Sequence, residues 1–207
     1  MMTSEEKAAW LAERCGYLTA SNMKRAMAFL RNGDPAKERI DLMYEILAER
    51  STGFNAPHVV TDPMLWGQEH EDEAVDKFVE LTSRDVRLSR FYKHSRIEYF
   101  GATPDRELDD GLLEVKCPTT PKFMRWKMAG VVPEEHKPQM LAQLACTGKK
   151  WCGFIAYDPR IKDERHQLFL AKFTPKPEEI AAIEEAAEKF LAEVDMLWER
   201  FTTGEAA

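Results

Sequence analysis

The sequence predicts a mixed α/β fold in which a central mixed β-sheet is flanked by helices, and three observations carry that expectation. Strand-like alternation recurs at Asp85 to Tyr92, Ile97 to Ala102 and Gly111 to Lys116, which together read as an antiparallel meander. Lys150 to Tyr157 and His166 to Phe173 are apolar runs of strand length, expected to flank the centre of the sheet. Around them lie longer segments with apolar residues at steps of three and four, the mark of helices that bury one face.

Taken in order, Lys7 to Gly16 reads as a short helix stopped by glycine, and Thr19 or Ser21 is placed to cap a second helix reaching about Leu30. Arg14 and Ser21 would then stand near a helix N-terminus, where a guanidinium, a hydroxyl and free backbone N–H groups make a phosphate site. A capping serine and a solvated arginine are the plainer alternative. Asp34-Pro35 opens a helix through Arg50, closed by Ser51-Thr-Gly53, with Leu42, Met43, Ile46 and Leu47 inward. Asn55 to Thr61 is a connector. Asp62-Pro63 opens the next helix, Met64 to about Leu81, with Met64, Gly67, Glu71, Ala74, Val75 and Phe78 inward. Burying an ionised Glu71 on that stripe is costly unless a cation or several donors compensate it. Glu69, Asp72 and Glu73 fall on a solvated face.

The stretch from Ala102 to Pro118 carries the chemistry. A strand at Leu112 to Lys116 puts Glu114 and Lys116 on one face and Leu113 and Val115 on the other. Glu107-Leu-Asp-Asp-Gly111 is a hairpin signal, because Asp-Gly supplies the positive φ of a tight reversal, and it folds Asp105 back towards the same spot. Two carboxylates and a lysine then converge, an arrangement that holds Mg²⁺ and leaves coordination sites for water and a substrate phosphate. The lysine would orient the attacking water, or deprotonate it if its pKa is lowered. A plain hairpin with a cross-strand salt bridge gives the same D-x8-E-x-K string.

Beyond it, Thr119 to Met128 is a helix carrying Lys122, Arg125 and Lys127. Pro133 to Thr147 is another, with Gln139 and Gln143 one turn apart on a face of small residues, where an amide can orient water or a phosphate oxygen. Pro175 to Phe201 closes the chain as an amphipathic helix, followed by a frayed tail from Gly204. That helix concentrates acidity, with eight acidic against three basic residues from Pro175 to Arg200, whereas the whole chain is at −7. The net charge argues against a general basic coat, but the remainder is only mildly acidic and leaves room for a local basic groove.

Length fits a single domain, 1–207, of which 175–207 is the terminal helix and tail. No run approaches the roughly 18 apolar residues of a membrane span, and the charged start lacks a signal peptide's apolar core, so a cytoplasmic protein without membrane contact is expected. Cys15, Cys117, Cys146 and Cys152 have no zinc or C-x-x-C spacing and should be free thiols.

Five blocks in order resemble one family. They are Trp10-x3-Arg14-x-Gly16-x-Leu-Thr-Ala-Ser21; Trp66-Gly67-x3-Glu71-x2-Ala74; Thr103-Pro-Asp105; Leu113-Glu114-Val115-Lys116-Cys-Pro118; and Gln139 through Tyr157-Asp-Pro-Arg160. The chain resembles the lambda-type (YqaJ-like) alkaline exonucleases of the PD-(D/E)XK nuclease superfamily, in a bacterial or prophage form. A single such string arises by chance; five in order, covering Trp10 to about Arg160, are specific.

The resemblance implies a restriction-endonuclease-like core with the active site on the strand of Glu114 and Lys116. It places metal ligands at Asp105, Glu114 and the carbonyl of Val115, with Glu71 near the second of two Mg²⁺ ions, for which Mn²⁺ may substitute. It gives catalytic roles to Asp105, Glu114, Lys116 and Gln139, and a pocket for the terminal 5′-phosphate to Arg14, Ser21, Thr103 and Lys122. Thr103 and Lys122 depart from the serine and arginine of the compared relative, and lysine lacks the bidentate fork. Met64 falls where that relative has an apolar wedge between strands, core packing being its plainer role. The implied activity is processive 5′→3′ digestion of one strand of double-stranded DNA, releasing 5′-mononucleotides and leaving 3′ overhangs for a single-strand annealing protein, by a ring-shaped homotrimer. An endonuclease of the same superfamily, or a non-catalytic DNA-end scaffold, is the alternative.

Overall fold

The computed structural model describes residues 4–55 and 61–204. Its first half holds α1 (Ser4–Arg14), β1 (Leu18–Thr19), α2 (Met23–Ala26), α3 (Lys37–Thr52), α4 (Asp62–Thr82), β2 (Arg87–Leu88) and β3 (Tyr92–Lys93). There follow β4 (Phe100–Ala102), β5 (Arg106–Glu107), β6 (Leu112–Lys116), α5 (Thr120–Ala129), α6 (Lys137–Thr147), β7 (Cys152–Tyr157), β8 (Leu168–Phe173) and α7 (Pro177–Thr203). Most of the connector after Asn55 and the tail beyond Gly204 lie outside the described residues.

The expected mixed α/β architecture is present, with its strands divided between two sheets. A three-stranded sheet has the order β1-β4-β3 and a five-stranded sheet the order β2-β5-β6-β7-β8. In the larger one β6 and β7 are parallel and the other pairs antiparallel, which makes it mixed. β7 lies inside that sheet and β8 at its edge.

The meander does not form as expected. Its first strand splits into β2 and β3, which belong to different sheets. Phe91, buried between them, explains the change of course: a Cβ at Gly101 would stand 2.3 Å from its ring, so the absence of a side chain there admits the ring against β4. The second strand begins only at Phe100, because Tyr99 has φ +57°, which interrupts extended backbone.

The helix expected to reach Leu30 is shorter than one full domain helix. β1 and a 3₁₀ turn over Ala20–Asn22 precede α2, which has four residues. Thr19 and Ser21 cap nothing; their hydroxyl oxygens lie 3.2 Å apart and bond each other. α3 starts at Lys37 rather than Pro35, since Pro35 is held in a bridge with Phe29.

Three buried clusters bind the layers. α2, α3, α6 and α7 enclose one against the small sheet through Met23, Leu42, Ile46, Phe100, Phe190 and Val194. The larger sheet is covered on both faces, by α4 against Leu113, Val115 and Ile155, and by α5 and α6 against Leu112 and Phe154. Burying one such side chain contributes about 1.5–3 kcal/mol. Alternation along β6 therefore sends Leu113 and Val115 towards α4 and Leu112 towards α6, and it leaves Glu114 as a fully buried carboxylate on the α6 side.

Candidate active site

The hairpin closes, with Leu108 N–H donating to the carbonyl of Gly111 at 3.0 Å, but without the positive φ expected of Asp-Gly: Gly111 has none, and its missing side chain instead admits the Trp151 ring, 2.4 Å from where a Cβ would stand. Asp105, just before β5, is drawn across to β6, where its Oδ2 accepts the N–H of Val115 at 2.7 Å. Lys116 forms an ion pair with Glu114 Oε1, and its Nζ is 4.0 Å from Asp105 Oδ2. Asp105, Glu114 and Lys116 thus share one spot, and the side chain of Val115 is buried on the opposite face.

Their electrostatics follow from burial. Desolvation, then the charge of Asp105, pushes the Glu114 carboxyl up to about 7, against the pull of Lys116 and Gln143. Burial disfavours the Lys116 ammonium, but Glu114 and Asp105 outweigh it and hold its pKa above the ordinary lysine value. Lys116 is therefore held in its charged form in this arrangement.

Glu71 joins the site from α4. Burial and the charge of Asp105 raise its pKa, while Arg106 and Lys116 work the other way. Arg106, itself buried, supplies the compensating cation that a glutamate on an apolar stripe requires. It reaches Glu71 at 2.5 Å, Asp72 at 2.6 Å and the carbonyl of Asp105 at 2.7 Å. Sequence reasoning missed Arg106, and the signal was the unexplained carboxylate. Asp72 and Glu73 are exposed as expected, and each also has a partner: Arg106 for Asp72, and Tyr157 Oη, which donates to Glu73 at 2.6 Å.

The glutamine that touches the carboxylates is Gln143. It is fully buried, donates to Glu114 Oε2 at 2.6 Å, and its Oε1 lies 3.9 Å from Cys152 Sγ. Gln139, assigned by the resemblance, is half-buried in the first turn of α6, with no hydrogen-bond partner among the described residues.

The four phosphate-pocket candidates come from separate elements. β1 and β4 are parallel with Thr19 opposite Gly101, so Ser21 and Thr103 follow neighbouring strand ends. Thr103 Oγ1 is buried with no hydrogen-bond partner, and Ser21 is exposed. Lys122 is paired with Glu135 at 2.9 Å. Arg14 stacks over Trp10 at 3.9 Å, where desolvation lowers its pKa to about 10 despite the charge of Glu49. Met64 is 37 % exposed in the first turn of α4, so it is not a core residue.

A divalent cation fits this donor set. The charge of Asp105 raises the cost of ionising both Glu114 and Glu71, and the cations set against the three carboxylates are Lys116 and Arg106. Among the described residues no three His, Cys, Asp or Glu side chains form a ready-made cage. Asp105, Glu114 and the Val115 carbonyl are the groups that would hold such an ion, with water filling its remaining positions.

The sequence profile of the YqaJ-like viral recombinase domain matches residues 9–150. This chain belongs to that family. Among solved structures it is similar to the alkaline exonuclease LHK-Exo from Laribacter hongkongensis, with 32% identity over 95% of this chain and 97% of that one and a TM-score of 0.87. The same enzyme in complex with dAMP matches equally well. A phage related exonuclease from Haemophilus somnus 129PT shares the fold, at 12% identity over 89% of this chain and 96% of that one, TM-score 0.66. None of the curated proteins compared matches the chain. The YqaJ-like membership and the likeness to an alkaline exonuclease indicate a nuclease of the exonuclease/recombinase class, with the mixed sheet and flanking helices of that fold. Among the described residues no helix is long and apolar enough to cross a membrane.

Proposed function

We propose that this YqaJ-like protein is a Mg²⁺-dependent exonuclease that digests one strand of double-stranded DNA from its 5′ end, releasing 5′-mononucleotides. The observation that carries the reading is the meeting of Asp105, Glu114 and Lys116 at one strand, with Glu71 and Gln143 closing around them. Remaining 3′ overhangs are the substrate of a single-strand annealing partner, and the working form is a ring-shaped homotrimer that keeps the DNA threaded and digestion processive. Two divalent ions, Mg²⁺ or Mn²⁺, supply charge to activate a water and to stabilise the leaving 3′-oxygen when bound.

The chain's own groups do the positioning. Asp105 is fixed by the N–H of Val115, and Glu114 by Gln143, so both carboxylates present oxygens at set positions. Lys116, kept protonated, orients the water by hydrogen bonding and offsets charge gathering on the phosphoryl oxygens. Arg106 restrains Glu71 at the edge of the site. Arg14, Ser21, Thr103 and Lys122 receive the 5′-phosphate. Met64, exposed at the head of α4, is placed to separate strands ahead of the site.

The test is digestion of linear duplex labelled at either end, with and without Mg²⁺, beside a covalently closed circle. Mononucleotides should appear from the 5′-labelled end only when Mg²⁺ is present, while the circle survives. Cutting of the circle would replace the reading with an endonuclease, and no release at all would leave a DNA-end scaffold.

A further inference from the structure

Beside the catalytic hairpin, one carboxylate stands where an anion would be received. Glu135 lies in a 3₁₀ turn, Glu134–His136, directly before α6. Its Oε1 is 2.9 Å from Lys122 Nζ and 3.6 Å from His136 Nε2. The second separation is too long for a hydrogen bond, so His136 Nε2 is buried without a partner. The imidazole is held in place by Trp126, edge-on at 5.0 Å, and Phe154, at 5.3 Å.

Positive charge collects here from several elements. The hydrogen bond from Lys122 lowers the Glu135 pKa most, and His136 and Lys24 of α2 add to it. Burial, with Lys116, Lys122 and Lys24, in turn depresses the His136 pKa to about 4. The cluster thus abuts the catalytic lysine and offers more donors than one carboxylate oxygen uses. A terminal phosphate, with three oxygens and nearly two charges, matches that surplus better.

We propose that Glu135 is an internal stand-in for the DNA's 5′-phosphate, occupying Lys122 and covering His136 Nε2 until the phosphate displaces it, and that Lys24 and His136 belong to the pocket so opened. The proposal rests on Lys122 being a phosphate ligand, as read above. Exchange of one anion for another keeps the basic groups from facing each other unneutralised. It also weakens the hold on the phosphate, because the returning carboxylate helps expel it and lets the next nucleotide advance.

Binding of short blunt duplexes with 5′-phosphate or 5′-hydroxyl ends, followed by fluorescence anisotropy in EDTA, tests it. Wild type should prefer the phosphorylated duplex. E135Q should tighten that duplex about threefold to fivefold, the scale of a half-exposed ion pair, with the hydroxyl duplex unmoved, and dAMP should compete at correspondingly lower concentration. K24A should loosen the phosphorylated duplex by a similar factor. An unchanged E135Q, or equal tightening at both ends, overturns the stand-in, and an unchanged K24A removes Lys24 from the pocket. If wild type itself binds both ends equally, the reading of Lys122 falls first and the stand-in with it, so the two failures are distinguishable.

Discussion

Two regions of this protein are dense in carboxylates and differ in what surrounds them. On α7, Glu193 forms a two-pronged pair with Arg39 at 2.7 and 2.9 Å, Asp195 meets Arg50 at 2.6 Å, Glu184 meets His94 and Arg96, and Glu188 also meets Arg96. Each of these four acids has a basic partner from outside the helix, and all four remain partly exposed. At the hairpin, Asp105, Glu114 and Glu71 share Lys116 and Arg106, and burial drives Glu114 towards its neutral form. Acidic residues in number therefore do not mark the site. A local shortage of positive charge does, and it is the kind of shortage a divalent ion fills.

The largest way to break that contrast is Lys116→Ala. Nucleotide release should fall by on the order of 10²–10⁴-fold, with DNA affinity in EDTA unchanged; loss of less than about tenfold would place the chemistry elsewhere. Next comes a pH experiment on buried groups, which α7 should not show. His136 titrates near 4 in the fold against an ordinary 6.5, so between those values the unfolded chain takes a proton that the folded one refuses. Acid then costs stability across that window, about 3 kcal/mol in full. Glu114 acts with the opposite sign: between its ordinary 4.5 and about 7 the folded protein holds the extra proton, so stability falls as pH rises. His136→Asn isolates the first contribution. The unfolding free energy of wild type minus that of the variant should drop by about 3 kcal/mol from pH 7 to pH 4, measured with urea.

How much of this was readable in the sequence depended on range. The reversal signalled at Asp110-Gly111, though made without the expected positive φ, and the period of two along Leu112 to Lys116 bring Asp105, Glu114 and Lys116 together, because a hairpin is local. Long amphipathic segments likewise gave α4 and α7 to within a few residues. What the sequence did not show was non-local. Phe91 leaves one sheet for another because Gly101, ten residues on, makes room for it. Gln139 and Gln143 sit one turn apart, and which of them meets Glu114 is settled by how α6 lies against β6, not by spacing. Arg106 followed Asp105 in plain view, but its partners Glu71 and Asp72 come from a helix more than thirty residues earlier.

Gln143 gives the next smaller test. Gln143→Leu removes a donor to a buried carboxylate, worth about 1.5–3 kcal/mol, and should slow nucleotide release about tenfold to a hundredfold, beyond the effect of Gln139→Ala. The reverse order would return the catalytic amide to Gln139.

The smallest effects belong to α7 and sharpen the comparison from its other side. Glu193→Gln keeps the shape but takes the charge from a guanidinium that is only 2 % exposed. Stranding a fully buried partner costs about 3–5 kcal/mol, but Glu193 is 45 % exposed, so water and the amide oxygen recover part of it. A loss of about 1–2 kcal/mol by urea unfolding is expected, with nuclease activity at low temperature unchanged. Glu188→Gln, opposite an exposed Arg96 that keeps Glu184, should cost below about 1 kcal/mol. If either α7 variant lowered activity while the fold held, α7 would belong to the working site, and local charge shortage would no longer separate the two regions.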